Sequence, residues 1–161
     1  MQKVNESYEA VIATPLPGGL RLGIRVADGA IAHMDFLPAD HPLKRPAAGA
    51  EQAVAAVKAY FDNPKKRARI PLRTAGTPFQ ERVWAAMRAI PVGEVRTYGE
   101  LAEQLHSGPR AVAGACRANP IPILTPCHRV VAREGLGGYM GALYGDPLEL
   151  KAWLLRHEGA L

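Results

Sequence analysis

The sequence predicts an α/β (α+β) protein of two small domains, an N-terminal α/β domain built on an antiparallel sheet and a C-terminal helical domain of helix-turn-helix or winged-helix type. Three observations predict it. At roughly 100–200 residues per domain, a chain of 161 residues holds one ordinary domain or two small ones. Short runs rich in Val, Ile and Leu lie near the N-terminus, whereas helical periodicity with proline-marked starts fills the second half. Between them Lys65, Lys66, Arg67, Arg69 and Arg73, broken by Pro71 and followed by Gly76, read as a connector. Boundaries at 1–75 and 76–161 are therefore expected.

In the first half, Tyr8–Thr14, Gly19–Val26 and Ala30–Leu37 are strand candidates, and Asp28-Gly29 is a hairpin signal between the last two. From Ala50 to Phe61, Ala53, Val54, Val57 and Phe61 recur at helical spacing until Asn63-Pro64 stops the helix. Such a helix would cover one sheet face.

The second half opens on Thr77-Pro78-Phe79-Gln80, a capping-box pattern, followed by Phe79, Val83, Met87 and Ile90 on one face of a helix to about Ile90. After Pro91-Val92-Gly93, a second box at Thr97-Tyr98-Gly99-Glu100 starts a short helix to Leu105, and Ser107-Gly108-Pro109 breaks it. Arg110–Asn119 then reads as a further helix ended by Pro120. Two short helices around a tight turn make a helix-turn-helix candidate, whose second helix would enter a DNA groove. The segment NPIPILTP carries three prolines and should be a rigid loop. His128–Ala132 is a strand candidate and Gly135–Gly141 a Gly-rich turn or wing. Asp146-Pro147-Leu148-Glu149 opens a last helix with Leu150, Trp153 and Leu154 inward, ending near His157-Glu158-Gly159.

The formal charge is +5, which suits a polyanionic partner. No acidic residue occurs from Gln104 to Arg133, a stretch that holds Arg110, Arg117, Arg129 and Arg133. Two cysteines, Cys116 and Cys127, are too few for a disulfide framework and point to a reducing compartment. The N-terminus lacks an apolar signal core and no stretch approaches the roughly 18 apolar residues of a membrane span. A cytoplasmic protein with no membrane association is expected. The Cys and His residues lack paired zinc-ligand spacing, and no phosphate-binding or dinucleotide-binding glycine motif occurs. No metal and no cofactor are expected.

Cys127-His128 follows the proline-stiffened loop, and a thiol becomes a good nucleophile when a neighbouring basic group favours the thiolate. On the residues alone Cys127 reads more readily as a small buried hydrophobe, the commoner fate of a free cysteine. Adjacent side chains on a strand face opposite ways, so direct contact would need a bend or a bridging water. By composition, Glu158 is a candidate to orient the histidine.

The hexapeptide PCHRVV at Pro126–Val131 resembles the active-site signature of the O6-alkylguanine-DNA alkyltransferases. TPFQERVWAAMRAIPVGEVRTYGELA, PRAVAGACRANPIPILTPCHRVV, GLGGYMG and KAWLLRHEG are similar to that family in the same order, over most of Thr77–Gly159. The resemblance implies DNA repair by irreversible, single-turnover transfer of the alkyl group of O6-alkylguanine to Cys127, with O4-alkylthymine left open as a substrate. It implies that His128 takes the thiol proton through a water and Glu158 polarises that histidine. Tyr98 would donate a hydrogen bond to the leaving guanine, and Asn119 would tie the helix-turn-helix to the active-site loop. Arg110 would fill the gap left by a flipped base, and Arg117 would face phosphate. Pro122, Tyr139 and Gly141 would line the base pocket. The implied partner is double-stranded DNA carrying alkylated bases, bound by a monomer.

Two departures from the family pattern stand out. Met140 occupies the place where many members carry a small hydroxyl residue, which bears on contacts to the guanine edge. Ala142–Leu150 is longer than the usual link to the final helix. A binding-only alkyltransferase-like protein would lack the acceptor thiol that Cys127 supplies. A Cys-His-Glu hydrolase would turn over, whereas a repair protein gives a burst of one.

Overall fold

The computed structural model describes residues 7–66, 69–139 and 146–161. Met140 and Gly141, together with the first part of the Ala142–Leu150 link, lie outside the described residues. The chain forms two compact units that divide between Thr74 and Ala75.

In the first unit, β1 (Ala10–Ala13), β2 (Arg21–Ala27) and β3 (Ala30–Leu37) form an antiparallel sheet in the order β1-β2-β3. Asp28 and Gly29 both take positive φ, 51° and 79°, which gives the two-residue turn the twist a right-handed hairpin requires. Gly23 on β2 is set by close approach, since a Cβ there would come within 2.7 Å of the Tyr8 ring. Helix α1 (Glu51–Asp62) packs on β2 and buries Ala53, Val54, Ala56, Val57 and Tyr60. Tyr60 is therefore inward, and Phe61, the position the periodicity selects, is half-buried beside it.

The second unit is helical. Helix α2 (Pro78–Arg88) starts at a complete capping box on Thr77 and Gln80. It buries Val83, Trp84 and Met87, with Ile90 buried just past its end, and Trp84 Nε1 donates to the Ala115 carbonyl at 2.9 Å. Strand β4 (Arg96–Thr97) leads directly into α3 (Tyr98–Gln104), again capped by a box on Thr97 and Glu100. His106 ends that helix in the left-handed region at φ 55°. Ser107 N–H bonds Ala102 O at 2.8 Å and His106 N–H bonds Glu103 O, a C-terminal motif more often built on glycine. Helix α4 (Pro109–Arg117) packs on α3 and α2, which completes the helix-turn-helix.

The expected strand over His128–Ala132 shrinks to β5 (Val130–Val131), because Cys127–Arg129 form a single 3-10 turn. Strand β5 pairs in parallel with β4, Arg96 opposite Val130 and Thr97 opposite Val131. Helix α5 (Pro147–His157) begins at an Asp146 cap. It turns Leu150, Lys151, Ala152, Leu154 and Leu155 inward, whereas Trp153 is half-exposed and stacks on His157. Gly159 at φ 81° closes α5, with Ala160 N–H on Leu155 O and Gly159 N–H on Arg156 O, and this fixes Glu158 as the C-cap residue.

Candidate active site

The loop between α4 and the 3-10 turn is held by tight local hydrogen bonds. Leu124 N–H bonds Pro122 O at 2.9 Å across Ile123, which is buried at φ 75° in a γ-turn of the rarer hand. For a β-branched residue this is strained backbone. A second γ-turn follows across Pro126, with Cys127 N–H on Thr125 O at 2.9 Å. Asn119, just past α4, spans the loop. Its Nδ2 donates to Thr125 O at 2.8 Å and to Cys127 Sγ at 3.3 Å, while its Oδ1 accepts from Ile121 N–H at 3.0 Å. Asn119 thus joins the end of the second helix to the thiol.

Cys127 and His128 are both buried, at 3% and 0% exposure, so neither is a surface thiol or imidazole. The 3-10 turn supplies the bend that a strand would have denied to adjacent side chains. His128 Nε2 lies 2.6 Å from Glu158 Oε2, and its other nitrogen, Nδ1, has no hydrogen-bond partner among the described residues. The Glu158 carboxylate also accepts from Arg129, Nε to Oε1 at 2.8 Å and Nη2 to Oε2 at 3.2 Å.

Burial pushes the Cys127 thiol up to about 11. The Asn119 hydrogen bond and the charge of Lys151 act in the opposite sense. Burial also lowers the His128 pKa, against the pull of Glu158, and so favours neutral imidazole. Lys151 is fully buried, donates to Val130 O at 2.7 Å and Gly138 O at 2.8 Å, and is lowered by that burial to about 8. Its Nζ stands 5.8 Å from the centre of the Tyr98 ring. Tyr98 is brought to this place by the β4–β5 pairing, since it follows Thr97 directly. Its hydroxyl contacts Gly138 O at 3.4 Å and burial raises its pKa to about 12, so it is a hydrogen-bond donor rather than an acid at neutral pH.

A cavity of about 180 Å³ opens among these groups, lined by Tyr98, Ala113, Cys116, Arg117, Cys127, Gly138 and Tyr139. Gly137, at φ 73°, lies so close beneath Tyr98 that a Cβ would come within 3.1 Å of its ring. Of the residues expected to line a base pocket, Tyr139 lines this cavity, Pro122 is buried in the loop before Cys127, and Met140 and Gly141 lie outside the described residues. Cys116 and Ala113, on the inner side of α4, are pocket residues that the sequence reading did not select. Arg110, at the second position of α4, and Arg117, at its end, are exposed. Arg129, the third arginine of the acid-free stretch, is 7% exposed and turned onto Glu158 rather than to the surface. Lys151 and Arg129 carry no sequence signal for burial, since isolated cations are ordinarily solvated.

Residues 78–160 match the model of the 6-O-methylguanine DNA methyltransferase DNA-binding domain. A methylated-DNA–protein-cysteine methyltransferase of Salmonella typhimurium is 55% identical over 91 residues, an alignment that takes in 55% of this chain and 50% of that protein. The match thus spans about half the length of that relative. The one from Methanosarcina acetivorans is 33% identical over 162 residues, covering 95% of this chain and 99% of its own. Among solved structures, the Mycobacterium tuberculosis O6-methylguanine methyltransferase superposes with a TM-score of 0.75 at 33% identity, over 92% of this chain and 90% of that one. The M. tuberculosis OGT in complex with DNA gives 0.73 at 36% identity, over 92% and 91%. A family model matching more than half of the sequence, and a relative aligned along nearly all of it, lead to one assignment: the chain belongs to the 6-O-methylguanine DNA methyltransferase family.

Proposed function

We propose that the chain repairs O6-alkylguanine in DNA by transferring the alkyl group, once and irreversibly, to Cys127. The observation that carries this reading is the buried line of Asn119, Cys127, His128 and Glu158 beside a cavity on the inner side of a helix-turn-helix. The target oxygen lies inside the base stack, so the base must leave the duplex at a cost of about a few kcal/mol. Arg110 at the start of α4 offsets part of this by occupying the gap. Arg117 and the uncapped N-terminus of α4, which has no acidic residue in its first turn, favour phosphate.

In the transfer, the Cys127 proton passes through a water to His128 Nδ1, the nitrogen facing away from Glu158. The Glu158 carboxylate stabilises the imidazolium that forms. The thiolate attacks the alkyl carbon, a C–S bond forms, and the C–O6 bond breaks with its electron pair on the purine. Tyr98 donates a hydrogen bond to the departing base, and Tyr139 lines the pocket that holds it. The product thioether cannot be hydrolysed by water, so each molecule acts once, as a monomer and without a cofactor. A thiol kept for this use belongs in a reducing compartment, and the cytoplasm is the proposed location.

Incubation with a methylguanine duplex, followed by intact-protein and peptide mass spectrometry, tests the proposal. The expected result is one methyl group per protein on Cys127, none on Cys116 and none in Cys127→Ser. Multiple turnover or methylation of Cys116 would overturn it.

A further inference from the structure

We propose that Arg129 is a positioning residue for alkyl transfer, whose guanidinium fixes both oxygens of Glu158 and thereby sets the orientation and charge of the His128 ring. This rests on the reading of His128 as the acceptor of the Cys127 proton.

Glu158 occupies an unfavourable place for a carboxylate. It is 1% exposed, and as the C-cap of α5 it faces the negative end of the helix dipole. An isolated carboxylate there would be costly. Arg129 answers both problems. Its Nε and Nη2 bond the two carboxylate oxygens separately, and its Nη1 donates to Ile90 O at 2.6 Å. The fork is thus braced against the residue that follows α2, and the carboxylate cannot rotate away from His128 Nε2.

The charge balance follows from the same contacts. Glu158 bonds the Arg129 guanidinium and the His128 imidazole, and the guanidinium supplies a full positive charge against it. His128 then has no need to be protonated to balance the carboxylate, and it stays neutral and able to accept a proton at Nδ1. Both Arg129 and Lys151 oppose a positive imidazole, and Glu158 favours it. Cys127, the chain neighbour of His128, is held by Asn119 Nδ2 at 3.3 Å. From α2, Arg88 donates to Thr125 Oγ1 and not to Glu158. With Arg129 removed, His128 becomes the counter-ion of Glu158 and is protonated before any thiol proton arrives.

The test is the single-turnover rate of methyl transfer to Cys127 against pH, for the native protein, Arg129→Lys and Arg129→Met. Melting temperature and binding to undamaged duplex serve as controls for folding. The acid limb of the profile should move to higher pH by about one unit or more in Arg129→Met, the size expected for loss of a neighbouring charge. Arg129→Lys keeps the charge but cannot span both oxygens, so it should move less in the same direction. In a Glu158→Gln background, Arg129→Lys should no longer shift the limb. A folded variant of either kind whose acid limb coincides with the native one overturns the proposal. So does a loss of rate that is the same at every pH. If Arg129→Met does not fold, the lysine variant decides alone. Failure of the native protein to methylate Cys127 would instead remove the underlying reading, and the two failures are separately visible.

Discussion

Among the described residues of the first unit, the fully buried side chains are all hydrophobic, from Tyr8 through Leu22, Ile24 and Ile31 to Val57 and Tyr60. Its charges pair at the surface, as Arg73 does with Asp28 at 2.8 Å. The second unit buries Asn119, Thr125, His128, Arg129, Lys151 and Glu158 within one small helical body. Burial of charge is costly unless every group is paired. The described core of the first unit is therefore apolar, and the second holds a desolvated polar network around a thiol at a cost in stability. Such perturbed clusters are where chemistry concentrates.

The largest effect expected from this contrast is Glu158→Ala. Removing one partner of a buried pair leaves Arg129 uncompensated, and the cost should be about 3–5 kcal/mol in denaturant unfolding of the second unit. A loss under about 1 kcal/mol, the range of exposed pairs, would erase the contrast.

Acid should separate the two units next. His128 has a folded pKa below its ordinary value of 6.5, because burial disfavours its charge. Below that pH the unfolded chain binds a proton that the folded state refuses, so stability falls as pH drops from 6.5 towards the folded value. Asp35 in the first unit behaves otherwise. Burial works against its charge, but hydrogen bonds from His33 and Tyr8 outweigh it and hold its pKa below the ordinary 3.8. Its contribution is complete above that value and disappears only as pH falls through the lowered one. Circular dichroism from about pH 3 to about pH 7, a span that brackets the ordinary His and Asp values, should show the near-ultraviolet signal of Trp84 fading first. Loss of the sheet signal before it would reverse the assignment.

The smallest effect belongs to Asp28→Asn, which removes the charge but suits the positive-φ turn. Its pair with Arg73 is exposed on both sides, and the midpoint of urea unfolding should be almost unchanged. A clear drop would show that charge supports the first unit after all.

Much of this architecture is legible in the sequence because it is local. The boxes at Thr77 and Thr97, the Asp28-Gly29 turn and the Asp146-Pro147 start each depend on four or fewer consecutive residues. What escapes depends on distant partners or on very short elements. Strands β4 and β5 have two residues each, too few to show a period, yet their pairing brings Tyr98 to the cavity. His128 and Glu158 come together across thirty residues of sequence; composition makes Glu158 no more than a candidate partner, and the family resemblance is what joins it to Cys127 and His128. Lys151 and Arg129 look like surface cations because the groups that compensate them, two backbone carbonyls for one and Glu158 for the other, lie elsewhere in the chain. Ile123 conceals its left-handed backbone for a similar reason, since a β-branched residue is the least expected occupant of that region.

The two successive γ-turns before Cys127 bear on rate as well as on shape. Ile123 at φ 75°, the Pro126 ring and the hydrogen bonds of Leu124, Thr125 and Cys127 N–H within the loop restrict the backbone that enters the thiol. The entropy of placing the nucleophile is then lost during folding and does not enter the activation barrier. Oriented groups of this kind reach effective molarities of about 10⁵–10⁸ M. In the single-use reaction proposed above, no later cycle can make up for a misaligned encounter, so fixing the attacking atom in advance is worth a strained isoleucine.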